Sequence, residues 1–170
     1  MSVYYDFDEV DAFTVGAVGE PGARVFYLQA RRGTVRVTVK CEKQQASAIA
    51  QYLRRVLTDL PEPTDKPIAA AMELSPPVEA VFVLGPVGLG YDRTTDRVLV
   101  QLEEVLELDE NGDPVEDEDD DRGHLRVFLT RSQAAAFCEH TDEVVAAGRP
   151  ACRWCSLPIN PDGHACPRMN

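Results

Sequence analysis

The sequence lacks any run of about 18 apolar residues, the length an α-helix needs to cross a bilayer. Its first residues, MSVYYDFDEVD, are acidic, whereas a secretory signal begins with basic residues followed by an apolar stretch. These two absences predict a cytoplasmic protein with no membrane partner. The 170 residues, of which 44% are hydrophobic, are enough for one compact domain and a small appendage.

Cysteines are few and unevenly placed. There are five of them, and three lie together near the C-terminus, whereas Cys41 and Cys138 are isolated within periodic segments. An odd number in a chain with no export signal argues against a disulfide framework and predicts reduced thiols. Cys41 and Cys138 fall on apolar faces and are therefore expected to be small core residues.

Motifs for catalysis are also scarce. The chain has three histidines; His140 lies two residues from Cys138 on a predicted helix, so the two side chains point to different faces. His124 stands alone, and neither GAVGEPG nor GPVGLG has the spacing of a phosphate-binding loop. No Ser-His-Asp order is present. The residues therefore give no support for an enzyme.

Basic residues are absent from residues 103–121, which carry twelve acids. Residues 24–55 show the opposite bias, with eight basic residues and one acid, although the formal net charge of the chain is -12. The acidic segment has few apolar residues, so residues 109–122 are predicted to form a solvated, mobile hairpin loop.

Two segments repeat each other along the chain. FTVGAVG at 13–19 is echoed by FVLGPVG at 82–88, FYLQA at 26–30 by VLVQL at 98–102, and VRVTV at 35–39 by LRVFL at 125–129. A helical pattern follows each set, beginning at Lys43 and at Arg131. Period-2 alternation predicts the strands, as in VRVTV. Each half therefore reads as strand, strand, strand, helix.

The predicted fold class is α+β. Two β-β-β-α units form one pseudo-twofold domain, followed by a small C-terminal zinc knuckle or ribbon. The predicted boundaries are residues 1–60 for the first unit, 61–77 for a proline-rich linker, 78–148 for the second unit and 149–170 for the metal-binding tail.

The tail holds the strongest motif in the sequence. Cys152 and Cys155 form a C-x2-C pair, and after eight residues His164 and Cys166 form H-x-C. Two thiolates at this spacing can bind one ion from a single turn, and a second pair of ligands completes the tetrahedral coordination that zinc prefers. Because four protein ligands close the coordination shell, the predicted Zn²⁺ is structural.

The tail GRPACRWCSLPINPDGHACPRMN, the early segment DAFTVGAVGEPGARVFYLQARRG and the helix start EKQQ resemble an uncharacterised actinobacterial family, domain-of-unknown-function family 3090, over nearly the whole chain. The family's ending typically reads CPxCGxP…GHxCPRxNG, so the resemblance supports the ligand positions. Ser156 stands where that pattern has glycine. Genes of the family often lie near those of a kinase-like and a histidine-phosphatase-like protein.

Two surfaces are candidates for binding. On the sheet of the first unit, an aromatic and several donors are expected to face away from the core, as on sheets that bind single-stranded nucleic acid. These residues are Tyr27, Gln29, Arg31, Arg36 and Lys40. The same pattern also fits a solvated sheet face or one buried in a dimer. The second surface is the tail, where Arg153 and Trp154 lie between two ligands, with Arg149 and Arg168 nearby.

The function that the sequence favours is a non-catalytic cytoplasmic adaptor or regulatory protein that binds zinc and a protein partner through the tail. Trp154 is expected to pack on the main domain or, failing that, on the partner. The first alternative is a single-stranded nucleic-acid-binding module, and the second is an accessory subunit of a kinase-like or phosphatase-like enzyme. The sequence does not specify the oligomeric state.

Overall fold

The computed structural model describes residues 3–113, 115, 121–148, 152–157, 159 and 163–168. It is an α+β fold with a seven-stranded mixed sheet and two helices. The strands are β1 (Tyr4–Phe7), β2 (Ala12–Val18), β3 (Val25–Arg32), β4 (Val35–Cys41), β5 (Ala80–Asp92), β6 (Arg97–Glu104) and β7 (His124–Leu129). The helices are α1 (Lys43–Thr58) and α2 (Arg131–Ala146), with one 3-10 turn at Ala69–Met72.

The strands lie in the order β1-β7-β6-β5-β4-β3-β2. Strands β2, β3 and β4 are antiparallel neighbours, as are β5, β6 and β7. The two triplets meet through the parallel pair β4 and β5. The six strands predicted from alternation and both helix starts are confirmed. Strand β1, which pairs in parallel with β7, was not predicted because its sequence, YYDF, is too short to show a period.

The sheet is strongly curved. Strands β1 and β2 are its two outermost strands, yet only residues 8–11 connect them. A connection of this length spans at most about 17 Å, whereas seven strands laid flat would place the outer two about 28 Å apart. The two edges of the sheet are therefore drawn towards each other around the core.

Both helices pack on the inner face of this curve. Each begins with a capping box that has glutamine at its third position, Gln45 in α1 and Gln133 in α2, which satisfies free N–H groups at the helix start. Phe137 of α2 stacks on Phe13 of β2, with ring centroids 5.0 Å apart. One hydrophobic cluster joins the inner faces of both triplets to both helices. The two halves therefore share a single core.

The connection between the triplets packs against the outer face of the sheet. Residues 69–76, here called the strap, cross β2, β3 and β4. Thr14 donates a hydrogen bond to the carbonyl of Met72 at 2.6 Å. Leu74 lies so close over Gly16 that a Cβ there would sit 2.4 Å from the Leu74 Cγ. The strap is thus a packed part of the fold as well as a connection.

The acidic segment begins with a tight hairpin. Val115 N–H donates to the Glu107 carbonyl at 2.9 Å, and Asp109 N–H donates to the Asp113 carbonyl at 2.8 Å. Of the predicted loop at 109–122, residue 114 and residues 116–120 lie outside the described residues. Within the described ranges, neither helix has the length and apolar character needed to cross a bilayer.

Candidate metal centre and binding surfaces

The four predicted ligands come together. The Sγ atoms of Cys152, Cys155 and Cys166 and a ring nitrogen of His164 all lie within 4.8 Å of one another. Cys152 Sγ and Cys166 Sγ are 3.9 Å apart, and Cys155 Sγ is 3.8 Å from His164 Nε2. A tetrahedral ion with metal–sulfur bonds of about 2.3 Å requires sulfur atoms about 3.8 Å apart. The cluster therefore has the size of a metal site.

The first ligand pair sits on a closed turn. Ser156 N–H donates to the Cys152 carbonyl at 2.8 Å, and Cys152 N–H donates to the Leu157 carbonyl at 2.8 Å. Ser156 adopts a φ of 64°, a left-handed conformation that glycine adopts most easily. This geometry gives a physical reason for the glycine at this position in the family pattern.

The same turn favours the deprotonated form of the Cys152 thiol. Backbone N–H groups of Cys155 and Trp154 point at the Cys152 sulfur and lower the pKa of its thiol to about 6. Partial removal from water raises the pKa of the Cys155 thiol. Cys152 and Cys166 are buried, and His164 and Cys155 are half-buried. One sulfur is thus favoured as an anion before a metal arrives, which is the form that binds metal.

Trp154, expected to pack on the main domain or on a partner, is exposed rather than buried. The residue is 53% exposed, and the Arg153 guanidinium lies 4.9 Å from the centroid of its ring. A turn this short has no apolar interior into which the ring can fold. Leu157, which sequence reasoning missed, is 50% exposed on the same turn. Arg168 is exposed, and Arg149 lies outside the described residues.

The candidate sheet face is largely covered. Gln29, predicted to be exposed, is 0% exposed, so that prediction is wrong. Its side chain bonds to both backbone groups of Ser75 in the strap. Arg31 donates to the Ala71 carbonyl at 2.6 Å, and Arg36 donates to the Pro76 carbonyl at 2.7 Å.

At the other end of the same strands, Tyr27 lies opposite Lys40 beyond the strap. Lys40 is exposed and Tyr27 is half-buried. The five residues therefore share the predicted face, but they do not form one open surface.

A cavity of about 340 Å³ lies between the linker, the β5–β6 turn and the start of α2. Its polar side chains bond largely to each other and to the linker. Arg131 pairs with Asp96, and the Ser132 hydroxyl donates to Asp65. This arrangement ties the linker to α2.

The two remaining cysteines lie in the core, as predicted. Burial raises the pKa of the Cys41 thiol to about 12 and that of the Cys138 thiol to about 11. The Cys138 thiol also donates to the Ala50 carbonyl, with sulfur and oxygen 3.3 Å apart. Neither group is a nucleophile at neutral pH, because only the thiolate reacts.

The different environments of the five cysteines predict how many thiols react with a thiol reagent under each condition. With the metal in place, we expect native protein to react slowly or not at all with Ellman's reagent at pH 7. A chelator should release three fast-reacting thiols, because Cys152, Cys155 and Cys166 then lose their metal, and denaturant should release all five. Five fast thiols in the chelated, folded protein would contradict the burial of Cys41 and Cys138.

Comparison with known proteins gives one match. Residues 5–166 match the family model described as "Protein of unknown function (DUF3090)". Searches of curated proteins and of solved structures found no match. Since the match spans nearly the whole chain, from β1 to the last ligand, the protein belongs to the family of unknown function DUF3090.

Proposed function

We propose that this chain is a non-catalytic cytoplasmic adaptor or regulatory protein whose zinc-bound tail presents Trp154 and Leu157 to a protein partner. The observation that carries the proposal is the placement of a half-exposed tryptophan on the turn that holds two of four clustered ligands. A large aromatic group held at an exposed position by a metal-braced turn is well placed to contact a partner.

The donor set supports zinc. Three thiolates and one imidazole are soft or borderline ligands, and the sulfur separation of 3.9 Å agrees with zinc–sulfur bonds of about 2.3 Å. Four protein ligands leave no open position for water or substrate. The ion would therefore hold the tail in shape, and its binding energy would supply much of the folding energy of so short a segment.

The chemistry of the surface favours a protein partner. Tryptophan and arginine are the residues most enriched where interfaces concentrate their binding energy. The Arg153 guanidinium lies over the Trp154 ring and holds it in place, which lowers the conformational entropy lost on binding. The accessory-subunit alternative uses the same surface, with an enzyme as the partner.

Capture from native cytosol tests this proposal. Wild-type protein is loaded with zinc, immobilised and incubated with nuclease-treated cytosol, and it should retain a partner protein. Trp154→Ala and Cys152→Ser should each retain at least about tenfold less of that partner, the effect of removing a central aromatic contact. Tyr52→Ala is the matched control, since Tyr52 is an exposed aromatic on α1. Equal capture by Trp154→Ala would contradict the proposal, and capture that nuclease abolishes would favour the nucleic-acid alternative.

We also propose that the two halves arose by duplication of one β-β-β-α unit related by a pseudo-twofold axis. The reciprocal roles of the two capping glutamines support this idea. Gln45 of the first half donates its amide to the Leu84 carbonyl of the second half, and Gln133 of the second half donates to the Val10 carbonyl before β2. In a crystal structure, β2 to α1 should superpose on β5 to α2, strand for strand; a mismatch in strand order or helix position would reject the duplication.

A further inference from the structure

Two arginines lie directly opposite each other on the outer face of the sheet. Arg31 of β3 is the register partner of Arg36 of β4, and both residues are half-buried. Side chains at opposed positions of neighbouring strands have Cβ atoms about 5 Å apart, and like charges there are destabilising. On its other side, Arg31 faces the small residue Ala12 of β2. The pair therefore places two positive charges side by side.

Carboxylates do not neutralise this pair within the described part of the chain. Five other arginines there each form an ion pair with an aspartate or a glutamate, whereas Arg31 and Arg36 form none. Acidic residues are plentiful, since the formal net charge of the chain is -12. Two adjacent arginines without an acidic partner are therefore an exception in this molecule.

The two guanidinium groups bond to neutral oxygen atoms of the strap. Arg31 donates to the Ala71 carbonyl at 2.6 Å. Arg36 donates to the Pro76 carbonyl at 2.7 Å and to the Ser75 hydroxyl at 3.1 Å. The Nε atom of Arg31 is buried and has no hydrogen-bond partner among the residues that the structure describes. Because buried polar atoms are almost always satisfied, the Arg31 side chain keeps a donor that the fold does not use.

Fastening the strap does not require charged side chains. The Thr14 hydroxyl donates to the Met72 carbonyl, and the Gln29 amide bonds to both backbone groups of Ser75. These neutral groups hold the centre of the strap. An amide or a hydroxyl costs less to remove from water than a guanidinium does, and it does not repel its neighbour. The positive charge of the arginine pair therefore points to a negatively charged ligand.

We propose that Arg31 and Arg36, together with the Ser75 hydroxyl, bind a phosphate ion or the phosphate group of a small molecule. Guanidinium groups match the geometry of phosphate, and a dianion compensates both charges at once. The Ser75 hydroxyl accepts a hydrogen bond from Arg36, so its own proton is left to donate to the ligand. The next residues along the same face, Gln29 and Thr38, are buried. The site therefore has room for one phosphate group but not for the successive phosphates of a nucleic acid.

Calorimetric titration of full-length, zinc-loaded protein with inorganic phosphate tests this site, with sodium chloride of equal ionic strength as the reference. Wild type should bind with a dissociation constant of about 1 mM or lower. Arg31→Gln and Arg36→Gln keep a neutral donor for the strap but remove one charge. Each should bind phosphate at least about tenfold more weakly, the effect of losing a hydrogen bond to a charged group. Titration with glycerol phosphate in parallel distinguishes a carried phosphate group from the free ion, since the true ligand should bind more tightly.

Lys40→Gln is the matched control. Lys40 lies on the same face as the arginine pair, is exposed and sits beyond the strap. Its substitution removes the same charge from the protein, and the variant should bind phosphate like wild type. A loss of affinity in Lys40→Gln as large as that in Arg36→Gln would show that phosphate responds to net charge alone, and would reject the site.

Hydrogen exchange in wild type gives a second measurement that does not depend on the folding of any variant. The Ser75 amide donates to the Gln29 side-chain oxygen at 2.8 Å. A ligand that joins both arginines to Ser75 stabilises the closed strap, so phosphate should slow the exchange of this amide more than chloride does. Wild-type protein that shows neither heat of binding nor slower exchange with phosphate would overturn the proposal. Tighter binding of an oligothymidylate than of either phosphate compound would also overturn it, in favour of a nucleic acid.

Discussion

Replacing one metal ligand, by Cys152→Ser, is expected to abolish zinc binding and to unfold the turn around Trp154 while the sheet and helices stay folded. The tail has few apolar residues and, in its described part, two buried residues, both of them ligands. Without the metal its thiol and imidazole groups have little reason to stay together, because metal binding supplies the folding energy of such small elements. The main core contains its own hydrophobic cluster and does not include the ligands.

The chain is well suited to measuring this effect. Trp154 is its single tryptophan, so fluorescence emission reports on the tail alone, whereas far-ultraviolet circular dichroism reports on the sheet and helices. Wild type should contain one zinc per chain, and Cys152→Ser close to none. Cys138→Ser makes the same substitution in the core and should keep the full zinc content. Stoichiometric zinc and unchanged emission in Cys152→Ser would contradict the assignment of the ligands.

The second large effect is expected from Gln29→Leu, which should destabilise the fold by about 2–4 kcal/mol. The Gln29 amide donates to the Thr38 hydroxyl at 3.1 Å and to the Ser75 carbonyl at 3.0 Å, and its oxygen accepts from Ser75 N–H at 2.8 Å. Leucine fills similar space but bonds to none of these groups. Leaving buried polar groups without partners costs more than an ordinary hydrogen bond contributes.

Urea unfolding of the variant and of a matched control measures this difference. Gln101→Leu makes the same substitution on β6, where the side chain is half-buried and donates to Glu103 at 3.2 Å. Its effect should stay within about 0.5 kcal/mol of wild type, as for other surface changes. Proteolysis within the strap should also be faster in Gln29→Leu. Equal stability of the two variants would show that the strap does not depend on Gln29.

Local patterns in the sequence were sufficient to predict most elements of the fold. The alternation in VRVTV marks β4, because one face of that strand is buried and the other is not. The grouping of Cys152, Cys155, His164 and Cys166 was also predictable, since metal coordination fixes the spacing of cysteine and histidine along the chain as well as in space. In both cases the requirement, burial of one strand face or coordination of one ion, acts on residues that are close in the sequence, so it leaves a regular spacing of residue types.

The features that the sequence did not reveal depend on contacts between distant segments. Gln29 lies at an outward position of β3, and only the strap, some 40 residues later, explains its burial. Two parallel strand pairs, β4 with β5 and β1 with β7, are likewise long-range pairings that leave no local pattern in the sequence. Trp154 is exposed because few residues surround the turn from Cys152 to Leu157, and the sequence of that turn does not reveal how it is surrounded.

The central claim is that Cys152, Cys155, His164 and Cys166 enclose one zinc ion. X-ray absorption at the zinc edge, on protein purified under reducing conditions, tests it most directly. The account predicts one zinc per chain with three sulfur neighbours at about 2.3 Å and one nitrogen at about 2.0 Å. Protein that holds no zinc, or zinc surrounded mainly by oxygen, would contradict it.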